Sequence, residues 1–290
     1  MRVCVGDVRL FFDVEGARLA ADGPRFRERP CVLFLPGGPG QEHSIFKPAF
    51  DPLSEVAQLI YLDPRGCGRS DPGHPDHWCL ATWADDVARL CDALEIEHPI
   101  LLGASFGGMV ALEFAGAHPG RAEGLVLAMT GLGLRPGLAS AAFGRLHGTA
   151  ARSVHDGYWQ QPGPATFAEY MRVCVPLYSR IHASPDEATR GRRNDALLER
   201  YWGGEMRTVD LTGAASRVSC PALVLVGELD PLLPPAASEE LVAALPPGVG
   251  RLHVLPEAGH GTRDLVASGA LDLIRAFVLE DVASVDGSVR

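Results

Sequence analysis

Short, uninterrupted apolar runs recur along this chain, and between them apolar residues return at helical intervals. The strand candidates are Cys31–Leu35, Leu59–Leu62, Ile100–Leu102, Leu125–Leu127, Ala222–Val226 and Arg251–Leu255. A strand covered on both faces of a parallel sheet has no polar face to alternate, so it reads as such a run. Residues 81–96, 106–118, 236–245 and 263–279 carry the helical spacing. Strand and helix in alternation predict an α/β fold around a mostly parallel sheet. The N-terminus reads differently. Arg2–Val5 and Val8–Val14 look like an antiparallel pair turning at Gly6-Asp7.

The rhythm stops between Gly131 and Ser219, where no strand signal stands out. The stretches GYWQQPGPATFAEYMRV and RNDALLERYWGGEMR predict short helices joined by Gly/Pro loops. This 89-residue segment (219 − 131 + 1) follows the sixth strand candidate and is expected to form a helical cap. Residues 1–130 and 220–281 then make the core, and 282–290 a flexible tail. The cap holds eleven Arg against eight Asp/Glu, a net of +3, which leaves −13 for the rest of a chain of net charge −10.

Composition narrows the function classes. The 290 residues are 47% hydrophobic, enough for one large core with an insertion. The acidic balance disfavours nucleic acid and anionic membranes as partners. No run approaches a membrane span or a signal peptide, so a cytoplasmic protein is expected. Seven scattered cysteines without a C-x-x-C spacing predict neither a disulfide framework nor a metal site. Cys67, in a Gly-rich loop, is expected to be more exposed than the others. Lys47 is the only lysine, a sign of codon bias that lowers the weight of any single arginine.

The chemistry begins at LLGASFGGMV, residues 101–110. Gly103-Ala104-Ser105-Phe106-Gly107 fits G-x-S-x-G, with a buried strand before it and a helix after it. A plain glycine turn is the bland reading. The chemical one is a nucleophile on a tight turn that needs small residues two places either side, at a helix N-terminus that favours negative charge. Serine needs a base, and the base an orienting acid. Strand 222–226 runs into Gly227-Glu228-Leu229-Asp230-Pro231, and the next strand into Gly259-His260-Gly261. Asp230 could merely cap a helix, and His260 could merely be solvated. Together, each just after a strand, they make Ser105, Asp230 and His260 the catalytic candidates, with Glu228 as the alternative acid. Pro36-Gly37-Gly38-Pro39-Gly40 follows strand 31–35 and offers an oxyanion hole from the N–H groups of Gly38 and Phe106.

With these pieces in place, the chain resembles the α/β-hydrolase superfamily over nearly its full length, and within it the proline iminopeptidase-like serine hydrolases. That group carries H-G-G-P-G where this chain has Pro36-Gly37-Gly38-Pro39-Gly40. It carries D-Q-R-G-C-G-R-S where this chain has Asp63-Pro64-Arg65-Gly66-Cys67-Gly68-Arg69-Ser70, seven of eight positions in agreement. Pro36 and Pro64 depart from the pattern, and the elbow lacks the second Gly and the Trp usual there. The resemblance implies an α/β-hydrolase fold and an acyl-enzyme mechanism on a small amide, peptide or ester, with no cofactor or metal. It also implies cap acids that bind a free amino terminus, for which Glu205 is the candidate, with Trp202 near it as a second substrate-binding candidate; a helix-surface carboxylate is the plainer reading of Glu205. Arg65 and Arg69 are expected to brace loops. An esterase, lactonase or C–C bond hydrolase would share the same elbow, and a ligand receptor or accessory protein could keep the fold without turnover. The expected partner is a small molecule or short peptide; oligomeric state is unreadable.

Overall fold

Each apolar run becomes a strand because only hydrogen-bonded backbone can be buried on both sides without leaving polar groups unpaired. The structure, a computed structural model, describes residues 1–282. The strands are β1 (Arg2–Val5), β2 (Val8–Glu15), β3 (Leu19–Asp22), β4 (Arg25–Glu28), β5 (Cys31–Leu35), β6 (Gln58–Asp63), β7 (Ile100–Ala104), β8 (Gly124–Ala128), β9 (Ala222–Gly227) and β10 (Gly250–Leu255). The helices are α1 (Leu80–Ala93), α2 (Phe106–Ala117), α3 (Pro136–Gln160), α4 (Pro164–Val173), α5 (Pro185–Arg190), α6 (Asp195–Gly203), α7 (Thr212–Ala215), α8 (Pro235–Ala244), α9 (Thr262–Ala267) and α10 (Ala270–Ala276).

Eight strands form one sheet in the order β1-β2-β6-β5-β7-β8-β9-β10. β1 and β2 are antiparallel to their neighbours, and every pair from β6 to β10 is parallel. Successive side chains serve opposite faces: Cys31, Leu33 and Leu35 of β5 enter one core cluster, Val32 and Phe34 the other. The chain leaves β5 for β6 on one side and returns to β7 on the other. The carboxyl ends of β5 and β7 therefore flank a topological switch point, where open α/β sheets form a crevice.

Two elements differ from the sequence reading. The β3–β4 hairpin lies outside the main sheet with almost every side chain exposed, so no burial pattern announced it. The helix read over 263–279 breaks at Gly269, whose φ of 90° ends α9's turn and starts α10. Residues 131–219 hold α3 to α7 and no strand, and α3 kinks at Gly148. Tyr170 packs its ring 5.3 Å from Tyr158 and 5.6 Å from Trp202, joining α3, α4 and α6. The tail expected over 282–290 lies, from residue 283, outside the described residues. No helix among the described residues is long and apolar enough to cross a membrane.

The loops at the β5 and β6 ends are held by ion pairs. Arg65, 1% exposed, contacts Asp86 and Asp7, each at 2.8 Å. Asp63, wholly buried, accepts the backbone N–H groups of His43 and Arg69 at 3.1 and 2.7 Å. The His43 ring nitrogen Nδ1 lies 2.6 Å from Asp63 and 3.0 Å from Glu42, and Arg69 reaches Glu42 at 3.0 Å. Both arginines brace loops as expected. Cys67, against expectation, is 3% exposed, and burial pushes its thiol up to about 12. It lies among these packed loops, out of solvent.

Burial opposes a charge on His43, but hydrogen bonds to Asp63 and Glu42 outweigh it and lift the imidazole from 6.5 to about 9. A group that holds its proton more tightly when folded stabilises fully below its unfolded pKa, and that contribution fades as pH rises through the folded value. The Tm gap between wild type and His43→Gln should therefore be widest near pH ~6 and narrow steadily toward pH ~9.5. Thermal unfolding across that range checks it, and a constant gap would count against a charged His43.

Candidate active site

At the junction of β7 and α2 the backbone of Ser105 takes φ 54° and ψ −117°, a region L-residues enter at a cost of about 1–3 kcal/mol. The Ser105 N–H donates to Ala128 O at 2.8 Å, which fixes the turn to β8. The neighbours must be small because α2 starts against the end of β5. A Cβ on Gly107 would sit 2.0 Å from Leu35 O, and one on Gly103 2.3 Å from Gly107 O. This crowding is the physical content of the G-x-S-x-G spacing.

The structure brings the three catalytic candidates together. His260 Nε2 lies 2.9 Å from Ser105 Oγ, and His260 Nδ1 lies 2.6 Å from Asp230 Oδ2. Asp230 is wholly buried, and its other oxygen accepts the N–H groups of Leu232 and Leu233, both at 2.8 Å. A carboxylate so placed accepts from Nδ1–H and leaves Nε2 as an acceptor facing the serine hydroxyl. Glu228, the alternative acid, is exposed, and its carboxylate accepts the Glu257 N–H at 3.4 Å.

A further residue holds the histidine, and sequence reasoning missed it. Asp264 is 2% exposed and accepts three backbone N–H groups: Gly259 at 2.9 Å, Arg180 and Ile181 both at 2.8 Å. It ties the His260 loop to the chain beyond α4, and His260 N–H donates to Tyr178 O at 2.6 Å. An acid in a helix's first turn looks ordinary in sequence; only the arrival of a segment 83 and 84 residues away gives it this task.

Gly37 and Gly38 line the cavity that contains Ser105. Phe106 opens α2, so its N–H has no acceptor within the helix. Trp202, 4% exposed, also lines the cavity, and its indole N–H donates to Gly38 O at 3.2 Å. The cavity measures about 240 Å³, with apolar walls from Met129, Met171, Val175 and Leu232. Larger hollows lie elsewhere, one of about 440 Å³ beside Arg152 and Arg207, but they hold neither Ser105 nor His260. Glu42, His43 and Asp63 could present three ligand atoms within 4.8 Å of one another. Their charges are already answered by Arg69 and the raised imidazole, so the cluster is a brace.

Glu205 is where the expectation failed. It does not line the cavity. Its carboxylate accepts the N–H of Leu80 at 3.1 Å, the first residue of α1, whose own N-cap Cys79 supplies no side-chain bond. Burial raises the carboxyl above its ordinary value, the Leu80 N–H partly offsets this, and Glu113 adds to the rise. Glu205 thus caps a core helix from the far end of the helical segment. Among the described residues that line the cavity, none is an Asp or Glu.

Comparison with known proteins gives a consistent fold. The family model described as alpha/beta hydrolase fold matches residues 30–262. The chain is 26% identical over 234 residues to the protein named "Putative carbamate hydrolase RutD" of Enterobacter cloacae subsp. cloacae, covering 79% of this chain and 84% of that one. A proline iminopeptidase of Mycobacterium smegmatis superimposes with TM-score 0.74 at 22% identity, covering 98% and 99% of the two chains. The enol-lactonase of Burkholderia xenovorans LB400 superimposes with TM-score 0.66 at 22% identity, covering 97% and 100%. At that identity the two structures speak to the fold alone.

Removing the Glu205 carboxylate leaves a helix-terminal N–H without its cap, at a cost of about 1–2 kcal/mol. Glu205→Ala should lower Tm by roughly 2–6 °C, read by calorimetry. Its KM for amine-bearing and neutral substrates should move together and little. A selective rise in KM for free-amine substrates would restore Glu205 to the site.

Proposed function

The chain belongs to the α/β-hydrolase fold family, and from that premise we propose that it is a serine hydrolase acting through an acyl-enzyme on small esters or lactones. The observation that carries this reading is the hydrogen-bonded line Ser105–His260–Asp230 at the wall of a cavity that also has an apolar side. His260 Nε2 takes the Ser105 proton as Oγ attacks the carbonyl carbon. The oxyanion is held by the N–H groups of Gly38 and Phe106, which act where charge develops. The carbonyl carbon–leaving oxygen bond breaks, and the proton passes from His260 to that oxygen. Water then attacks the acyl carbon, gives its proton to His260, and the carboxylic acid departs as Oγ recovers the proton. Asp230 keeps the imidazole in the required tautomer throughout, and the helical segment 131–219 serves as the cap that closes the cavity.

The aminopeptidase reading is weaker. A buried ammonium without a carboxylate partner costs several kcal/mol. The cavity offers no such partner, and Glu205 is occupied at α1. The wall residues suit an acyl chain or a lactone ring.

An organophosphonate probe should label Ser105, and Ser105→Ala should abolish labelling and lower kcat by roughly 10⁴–10⁶-fold. Labelling at Ser44 or Ser70 would overturn the assignment. Asp230→Asn should fold normally by circular dichroism yet lose about 10⁴-fold in kcat, because the amide favours the wrong tautomer. On an activated ester, sustained turnover is expected; a burst of one leaving group per chain, then silence, would favour a receptor role.

A further inference from the structure

Two guanidinium groups share the wall of the cavity with Ser105 and His260: Arg193, just before α6, and Arg263, in the first turn of α9. Both stand on anchored backbone. Beside Arg193, Asn194 donates its N–H to Gly40 O at 2.9 Å and its side-chain amide to Gly66 O at 2.9 Å, and its side-chain oxygen caps α6 through Leu197 N–H. On either side of Arg263, Thr262 Oγ1 donates to Ile45 O at 2.8 Å and Asp264 holds its three backbone groups.

The charge here runs against the rest of the molecule. The chain carries −10 overall, yet the cavity lining holds two cations and no carboxylate among the described residues. Codon bias accounts for arginine in place of lysine; it does not account for the missing acids. Each arginine has one acidic partner that does not line the cavity: Asp195 for Arg193, and Glu187 at 3.4 Å for Arg263. A guanidinium has five N–H donors in a planar fork, so one such pair leaves donors for a second carboxylate.

We propose that this wall is a carboxylate subsite and that the substrate is an ester or lactone bearing a free carboxylate. The proposal rests on the acyl-enzyme reading above and specifies its substrate class. A carboxylate docked on Arg193 and Arg263 orients the substrate, while the apolar wall takes its carbon chain and the carbonyl meets Ser105. Arg193 is nearly half exposed, so its part of the cavity wall meets solvent.

The test compares acidic esters with their neutral methyl counterparts. 4-Nitrophenyl hydrogen adipate against methyl 4-nitrophenyl adipate places the carboxylate on the acyl side. 4-Acetoxybenzoate against its methyl ester places it on the leaving side. In at least one pair kcat/KM should favour the acid by about tenfold or more, equivalent to roughly 1.4 kcal/mol. That preference should shrink between low and high salt. Arg263→Gln and Arg193→Gln should each erase most of the preference by lowering kcat/KM for the acid several-fold more than for its neutral ester. Glu187→Gln, which keeps the amide able to cap α5 and frees Arg263, should increase it. Turnover of both members of each pair without preference, or a preference that survives both arginine changes, overturns the carboxylate subsite alone. No turnover of any of the four esters overturns the acyl-enzyme reading, and the subsite with it.

Discussion

The backbone of Ser105 is forced into the left-handed half of conformational space, and the rest of the site is arranged around that one distortion. A chain leaving β7 at an ordinary φ would carry the serine side chain onward with the strand. Instead it turns at once into α2, whose first residues press on the end of β5 closely enough that Gly107 can carry no side chain. Locally, Ser105 O accepts the N–H of Gly108 at 2.9 Å, at the start of α2. The turn persists because β5, β7 and β8 are buried on both faces and cannot shift, and because the Ser105 N–H is spent on Ala128. Strain stored at one residue is held by the stiffness of its surroundings.

Where a candidate residue sits at the end of a buried strand, its placement was legible in the sequence. Ser105, Asp230 and His260 each follow an apolar run, and parallel strands deliver their ends to one edge of the sheet. The geometry that unites them is a consequence of topology, which alternation alone predicts. Where a side chain works through a distant partner, the sequence was silent. Glu205 stands beside an aromatic residue on what reads as a helix end, and the group it binds is 125 residues away. Asp264 and His43 are opaque for the same reason. The β3–β4 hairpin escaped notice because it buries almost nothing, and the break at Gly269 because apolar spacing runs straight through it.

Charge and packing divide the labour in the loops above the sheet. Arg65, Arg69 and His43 meet buried acids at short range, so removing the cation leaves an uncompensated buried carboxylate. These contacts tie together the loops that follow β5 and β6. Arg193 and Arg263 also have acidic partners, but Asp195 and Glu187 are themselves partly exposed. The same residue type thus meets acids in two settings, distinguished by how deeply the acid is buried.

The three hydrogen bonds of Asp264 make the helical segment inseparable from the core. Because Arg180 and Ile181 share one carboxylate with Gly259, and Tyr178 accepts the N–H of His260, the insertion supplies part of the scaffold that keeps the imidazole in place. Exchange of residues 131–219 for the equivalent stretch of a relative is therefore not a swap of interchangeable modules. A chimera whose crossover discards the 178–181 backbone path would inherit a foreign specificity together with a misaligned histidine, so a workable splice must retain that short span and graft only what lies on either side of it.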